Sequence, residues 1–259
     1  MIPSVQTSAR PVIAVTSSHR RLAPAYIMVW IAVRLAGGKP RRVRPGSRPN
    51  GSHHGLVLTG GPDLSPEFAG IPRTPHRRYY PQRDDTERSF LEHAIRNALP
   101  VLGICRGAQL MNRAAGGTIH PAVRKAYRNA RYPHHPLAHM LFRKRVHVHP
   151  GTWISEVVGK DHLMVNSLHR QSVAQLGAGL IATATEPNGV IQVIEDPRRK
   201  FFVGVQFHPE LLLYRGAFRR LFRSLIAAAA ANGAAIPDAT PSDATSTDTA
   251  AGETATPTG

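Results

Sequence analysis

Thiols, acids and aromatic rings are all scarce in this 259-residue chain. Its single cysteine, Cys105, excludes an internal disulfide framework and any zinc site built from several thiolates, and suits a reducing compartment. Long apolar runs are absent too. The longest, Tyr26 to Val33, ends at Arg34, far short of the ~20 residues a spanning helix needs, and reads as a buried helix instead. Residues Met1 to Arg10 lack the basic-then-apolar layout of a secretory signal, so the expected location is the cytoplasm. With 42% apolar residues and two tryptophans the chain is nevertheless globular rather than disordered.

From Asn232 onward Lys, Arg and aromatic residues vanish altogether, and Ala, Thr, Pro, Ser, Asp and Gly remain. Such a stretch buries too little apolar surface to order itself, so 232–259 is expected to be a disordered tail and 1–231 the folded domain. The tail holds Asp238, Asp243, Asp248 and Glu253. Setting these aside leaves 12 acids against 33 basic residues, a net +21 on the folded part.

Within that part short apolar runs alternate with helical spacing. Val12 to Thr16, the helix Ala23 to Ala36 closed by Gly37-Gly38, and Leu56 to Thr59 give β-α-β order. Asp84 to Ala98 reads as a helix, with acids in its first turn and Pro100 as its stop, and Val101 to Ile104 follows as a buried strand. Later come alternating strands near Val146 to Val148, Leu180 to Thr185, Val190 to Glu195 and Phe201 to Phe207, then a helix from Tyr214 to Ala231. The pattern predicts an α/β fold whose mostly parallel sheet carries an antiparallel extension.

The one thiol lies where an apolar strand runs into Gly103-Ile104-Cys105-Arg106-Gly107 and then a helical pattern. This is the thiol form of a nucleophile elbow: the flanking glycines permit a sharp turn that lifts the side chain above the carboxyl edge of the sheet. At the helix start, unpaired N–H groups favour a thiolate, and the N–H of Arg106 points where an oxyanion would form. A nucleophile needs a base and the base needs an orienter. Phe201 to Glu210 supplies both at a strand end, with His208 as base and Glu210 two residues on to hold its imidazole.

These residues resemble the class I glutamine amidotransferase-like family, in particular its peptidase C26 branch, which contains γ-glutamyl-γ-aminobutyrate hydrolases. The resemblance spans about residues 11 to 225. It rests on Leu58-Thr59-Gly60-Gly61-Pro62-Asp63, Arg83-Asp84 with Glu87, Gly103 to Gln109, Gly116-Gly117-Thr118, Asn166-Ser167-Leu168-His169-Arg170-Gln171 and Gly204 to Glu210. It implies a flavodoxin-like amidotransferase fold and a catalytic triad of Cys105, His208 and Glu210. It also implies an oxyanion hole from the Gly60-Gly61 turn beside Arg106, and substrate contacts from Gln109, Asn166, Ser167 and His169, with Gln171 a weaker candidate. The implied activity is hydrolysis of a small γ-glutamyl amide in polyamine catabolism, without metal or organic cofactor. The expected partner is that substrate, with no specific nucleic acid and no membrane, and with self-association left open.

Two departures from the family pattern stand out. Lys39-Pro40-Arg41-Arg42-Val43-Arg44-Pro45 occupies the place of an apolar second strand, and suggests an exposed edge strand blunted by charge. His54 replaces a usual acid. Three rival readings are weaker. The basic clusters at Arg41 to Arg44, Arg143 to Arg145 and Arg198 to Lys200 are scattered and lack nucleic-acid-binding signatures. His134, His135, His139, His147 and His149 lack carboxylate or thiol companions at metal-ligand spacing. The Gly60-Gly61 turn lacks the longer glycine pattern of a phosphate loop. The closest competitor is a glutaminase subunit passing ammonia to a synthase partner.

Overall fold

The computed structural model describes residues 10–20, 22–129, 132 and 142–233. The expected tail beyond 233, the N-terminal residues 1–9, and His134, His135 and His139 lie outside the described residues. Five strands run parallel. They are β1 (Val12–Thr16), β2 (Lys39–Val43), β3 (Gly55–Leu58), β4 (Val101–Ile104) and β11 (Phe202–Val205), in spatial order β2-β1-β3-β4-β11. The sheet then continues antiparallel through β10 (Ile191–Glu195), β9 (Ile181–Thr185), β6 (Arg143–Val148) and β7 (His162–Asn166). A two-stranded antiparallel piece joins β5 (Ile119–His120) to β8 (Ser172–Val173).

Burial on both faces explains the unbroken apolar strands β3, β4 and β11, whose every residue is buried. On one face lie helices α1 (Pro24–Leu35), α6 (Trp153–Val158) and α7 (Gly216–Gly233), around a cluster including Val29, Val57, Leu102, Val203, Phe207 and Phe222. On the other lie α2 (Pro66–Ala69), α3 (Pro81–Arg96) and α4 (Arg106–Ala114), around Leu58, Leu91, Val101, Leu110 and Met111. The helix α5 (Val123–Ala126) is a single short turn. Among the described residues no helix is long and apolar enough to cross a membrane.

The charged segment after α1 does form an edge strand, β2, paired parallel to β1 from Lys39 to Val43. His54 also finds a use, since its Nδ1 accepts the Val12 N–H at 3.0 Å. The apolar run Tyr26 to Val33 is a correction to the expected buried helix. On α1 only Val29, Ala32 and Val33 are fully buried, with Tyr26 partly buried against the same core, while Ile27 and Trp30 stay 39% and 40% exposed. The reason is geometric: α1 packs one stripe against the sheet and α7, and Arg34 lies over the outward Trp30 ring at 5.7 Å.

Candidate active site

Three neighbouring parallel strands, β3, β4 and β11, end together, because Leu58 pairs with Gly103 and Ile104 with Val205. The loops leaving these strands therefore gather at one carboxyl edge: Thr59-Gly60-Gly61, Cys105, and Gln206-Phe207-His208. Open α/β sheets bind ligands at this edge.

Cys105 is the N-cap of α4, with φ +52° and ψ −101°, a conformation costly for any residue with a Cβ. Two close approaches hold the elbow in place. A Cβ on Gly107 would collide with the Leu58 carbonyl oxygen of β3, so only glycine lets α4 sit this near the sheet. A Cβ on Gly60 would come within 2.5 Å of His208 Cε1, so the Gly60 backbone reaches the imidazole directly. The N–H of Arg106, first in its helix, has no intrahelical acceptor. Arg106 and Gly61 line the same cavity as Cys105.

His208 Nδ1 donates to Glu210 Oε1 at 2.7 Å, and its ring also hydrogen-bonds to Cys105. Burial of the ring works against protonation. The charges of Glu210 and Cys105 and the hydrogen bonds to both outweigh it, and hold His208 well above the ordinary histidine range. Such a pairing suits an imidazolium beside a thiolate.

Beneath this edge four charged side chains are buried together. Arg106 pairs with both Asp84 and Glu87, and Arg83 Nε lies 2.7 Å from Glu87 Oε1. Arg83 also donates to Thr59 O at 3.2 Å and Gly60 O at 3.1 Å, clamping the glycine turn, while Asp84 accepts the Ser65 N–H at 2.9 Å. Burial alone would raise Glu87, yet the two guanidinium groups hold it below the ordinary carboxylate range. The acids expected to serve the helix dipole are thus spent on arginines, and the helix begins at Pro81 rather than Asp84.

The expected substrate contacts divide. Gln109, His169 and Gln171 line a cavity of about 540 Å³ that opens over Cys105 and Arg106. Asn166 is not among the residues that line it. Its Oδ1 accepts the His208 N–H at 2.8 Å and its Nδ2 donates to His208 O at 2.9 Å, so both ends of the amide fix the histidine's backbone. Ser167 is fully buried, its hydroxyl interacts with Tyr132, and it too is not among the residues lining the cavity. Behind His169 lies a group absent from the expectations, in which Glu186 joins Lys144 at 2.5 Å, Tyr132 at 2.9 Å and Gln192 at 2.7 Å. Gln206 was also unforeseen. Its signal was a polar residue inside the apolar run Phe201 to Phe207. Of the described histidines considered as ligands, His149 turns its ring nitrogens to Ala182 O and Thr185 Oγ1.

An α/β sheet of this order, with a thiol elbow between a glycine turn and a His-Glu pair, defines a class I glutamine amidotransferase-like protein. The peptidase C26 family profile matches residues 51–210, and the chain belongs to that family. A Mycobacterium tuberculosis protein named as a putative glutamine amidotransferase is 39% identical over 181 residues, covering 69% of this chain and 56% of that protein. A Schizosaccharomyces pombe protein of the same description is 31% identical over 213 residues, covering 78% and 80%. The γ-glutamyl-γ-aminobutyrate hydrolase of Escherichia coli O157:H7 is 28% identical over 135 residues, covering 50% of this chain and 53% of its own. Among solved structures, a Thermoplasma acidophilum protein described as a putative GMP synthase component shares the fold with a TM-score of 0.62 at 20% identity, covering 87% of this chain and 98% of its own.

Proposed function

We propose that this chain hydrolyses the γ-glutamyl amide bond of a small γ-glutamyl compound, γ-glutamyl-γ-aminobutyrate or a close relative, through a γ-glutamyl thioester on Cys105. The observation that carries the reading is the meeting of Cys105, the His208–Glu210 pair and the Gly60 turn at the ends of β4, β11 and β3. Cys105 Sγ attacks the γ-carbonyl carbon, and the oxyanion is held by the amides of Arg106 and the Gly60-Gly61 turn. The C–N bond then breaks as His208 gives its proton to the departing nitrogen. Water attacks the thioester, His208 takes a proton from it, and the C–S bond breaks to release glutamate and the thiolate. Glu210 keeps Nδ1 engaged and offsets the imidazolium charge throughout.

The lining of the cavity supports an anionic leaving amine. His76, Arg77, Arg78 and Arg170 face one acid, Asp63. Arg77 already lies 3.6 Å from Asp63, whose carboxyl is raised by burial against the pull of Arg77 and Arg106. Arg78 and Arg170 are exposed, and their guanidinium groups have no ion-pair partner among the described residues. Glutamine offers one carboxylate to this set, whereas γ-glutamyl-γ-aminobutyrate offers two. The names borne by the M. tuberculosis and S. pombe relatives support a second reading, a glutaminase serving a synthase. Kinetics on γ-glutamyl-γ-aminobutyrate, glutamine and γ-glutamyl amides of neutral amines decide between them. The hydrolase reading predicts the highest kcat/KM for the anionic leaving group, lowered about tenfold or more in Arg78→Glu or Arg170→Glu with glutamine little changed. Preference for glutamine, with turnover appearing only beside a second protein, would favour the glutaminase.

A further inference from the structure

Gln206 follows β11 and is almost fully buried beside the nucleophile, with its Nε2 at 3.5 Å from Cys105 Sγ. Which end of an amide faces a neighbour is settled by fixed groups, and one is at hand here. The Gln171 backbone carbonyl can only accept, so the Gln109 nitrogen must face it, at 3.0 Å. That same nitrogen lies 3.0 Å from Gln206 Oε1, which leaves Gln206 Nε2 to face the sulfur. The line therefore joins a backbone carbonyl to Sγ through two buried amides: Gln109 donates both to Gln171 O and to Gln206 Oε1, and Gln206 donates to the sulfur.

We propose that Gln206 is a catalytic residue that donates a hydrogen bond to the Cys105 thiolate, and that Gln109 is the positioning residue that aims it. An N–H aimed at sulfur favours the charged form over the thiol. It stabilises the thiolate before attack and again when the C–S bond of a thioester breaks and the electron pair returns to sulfur. The backbone of Gln206 is itself pinned, its N–H bonding to Gln192 O at 2.8 Å, so the side chain starts from a fixed point. This assignment also changes the place of Gln109. It lines the cavity, yet both its nitrogen contacts go to Gln171 and Gln206 rather than outward.

Other charges reach the thiol from every side. His208 with Glu210 comes from the end of β11, Arg106 with its Asp84 and Glu87 partners from α4 and α3, and His169, Asp63 and Arg77 from across the cavity. All of them are unchanged when Gln206 or Gln109 is replaced, so a comparison of variants isolates the amide line.

The chain's single cysteine provides the readout, because alkylation by iodoacetamide reports Sγ alone and needs no substrate. In Gln206→Met, similar in length but without a donor, the midpoint of the alkylation pH profile should move upward by about one unit. Below the midpoint alkylation should slow about threefold, because a tenfold smaller thiolate fraction is partly offset by a more nucleophilic sulfur, and above it alkylation should be faster than in the parent. Gln109→Leu should shift the profile the same way by less. A Gln206→Met profile that overlays the parent's in folded protein overturns the proposal. Should that variant fail to fold, a parental profile in Gln109→Leu does so instead. Loss of packing alone would not shift the midpoint. Failure of the γ-glutamyl hydrolase reading would leave this result standing.

Discussion

Cys105 sits in a backbone conformation that a Cβ disfavours, and this separates its chemical from its structural contribution. Cys105→Ala should lower glutamate release at least about a thousandfold while keeping the fold, as steady-state assay and circular dichroism together would show. Cys105→Gly should be equally inert yet more stable than Cys105→Ala by about 1 kcal/mol in thermal unfolding, because glycine adopts this φ and ψ without strain. His53 makes a separate residue-scale prediction. It is buried against Phe90, with neither ring nitrogen hydrogen-bonded among the described residues, and burial, helped by the charges of Arg41, His93 and His54, lowers it to about 4. Between pH 6.5 and about 4 the unfolded chain takes up a proton there that the folded chain refuses, so stability falls as pH falls through that window. In His53→Leu that part of the loss should disappear, as urea titrations at about pH 7 and about pH 4.5 would reveal. The thiol elbow and the His208–Glu210 pair were legible because glycines flank one and a strand end carries the other. The bonds of Asn166 to the His208 backbone were not, since an asparagine after a strand reads the same whichever partner its amide meets.

The strands and helices that build the site owe their placement to burial and register. Runs such as Val101 to Ile104, long enough to show their pattern and closed by Gly or Pro, could be read directly. The two-residue strands β5 and β8 and the single turns α2 and α5 could not, because no periodicity exists over so few residues. In α3 the start was misplaced because its acids looked like partners of the helix dipole. Their actual partners, Arg83 and Arg106, come from the helix itself and from the elbow. Glu87→Leu should therefore destabilise the protein by about 3–5 kcal/mol in chemical denaturation, since it leaves two buried guanidinium groups short of a counter-charge. The same change should lower kcat as well, because Arg83 is the clamp on Thr59 and Gly60.

For the molecule as a whole, the mostly parallel sheet with its antiparallel extension and the alternation of helices followed from the β-α-β pattern, whereas the cavity did not, since its lining comes from four separate segments. The last helix closes the body by bonding Asn232 Nδ2 to Ala98 O at 2.8 Å. A chain ended after Gly233 should keep its kcat and its melting temperature, because the residues beyond lack the composition to build a core or a site; a large drop in kcat in a folded truncation would show that they complete the active site. The central claim, covalent catalysis at Cys105 on a γ-glutamyl amide, is tested most directly by acid-quenching the purified chain during turnover of γ-glutamyl-γ-aminobutyrate and mapping acyl adducts by mass spectrometry. The account predicts a γ-glutamyl group on Cys105, with glutamate and amine released in equal amounts by the chain alone, and neither adduct nor release in Cys105→Ala. Glutamate release that persists undiminished in folded Cys105→Ala, or no release from any γ-glutamyl amide by the parent, would contradict it.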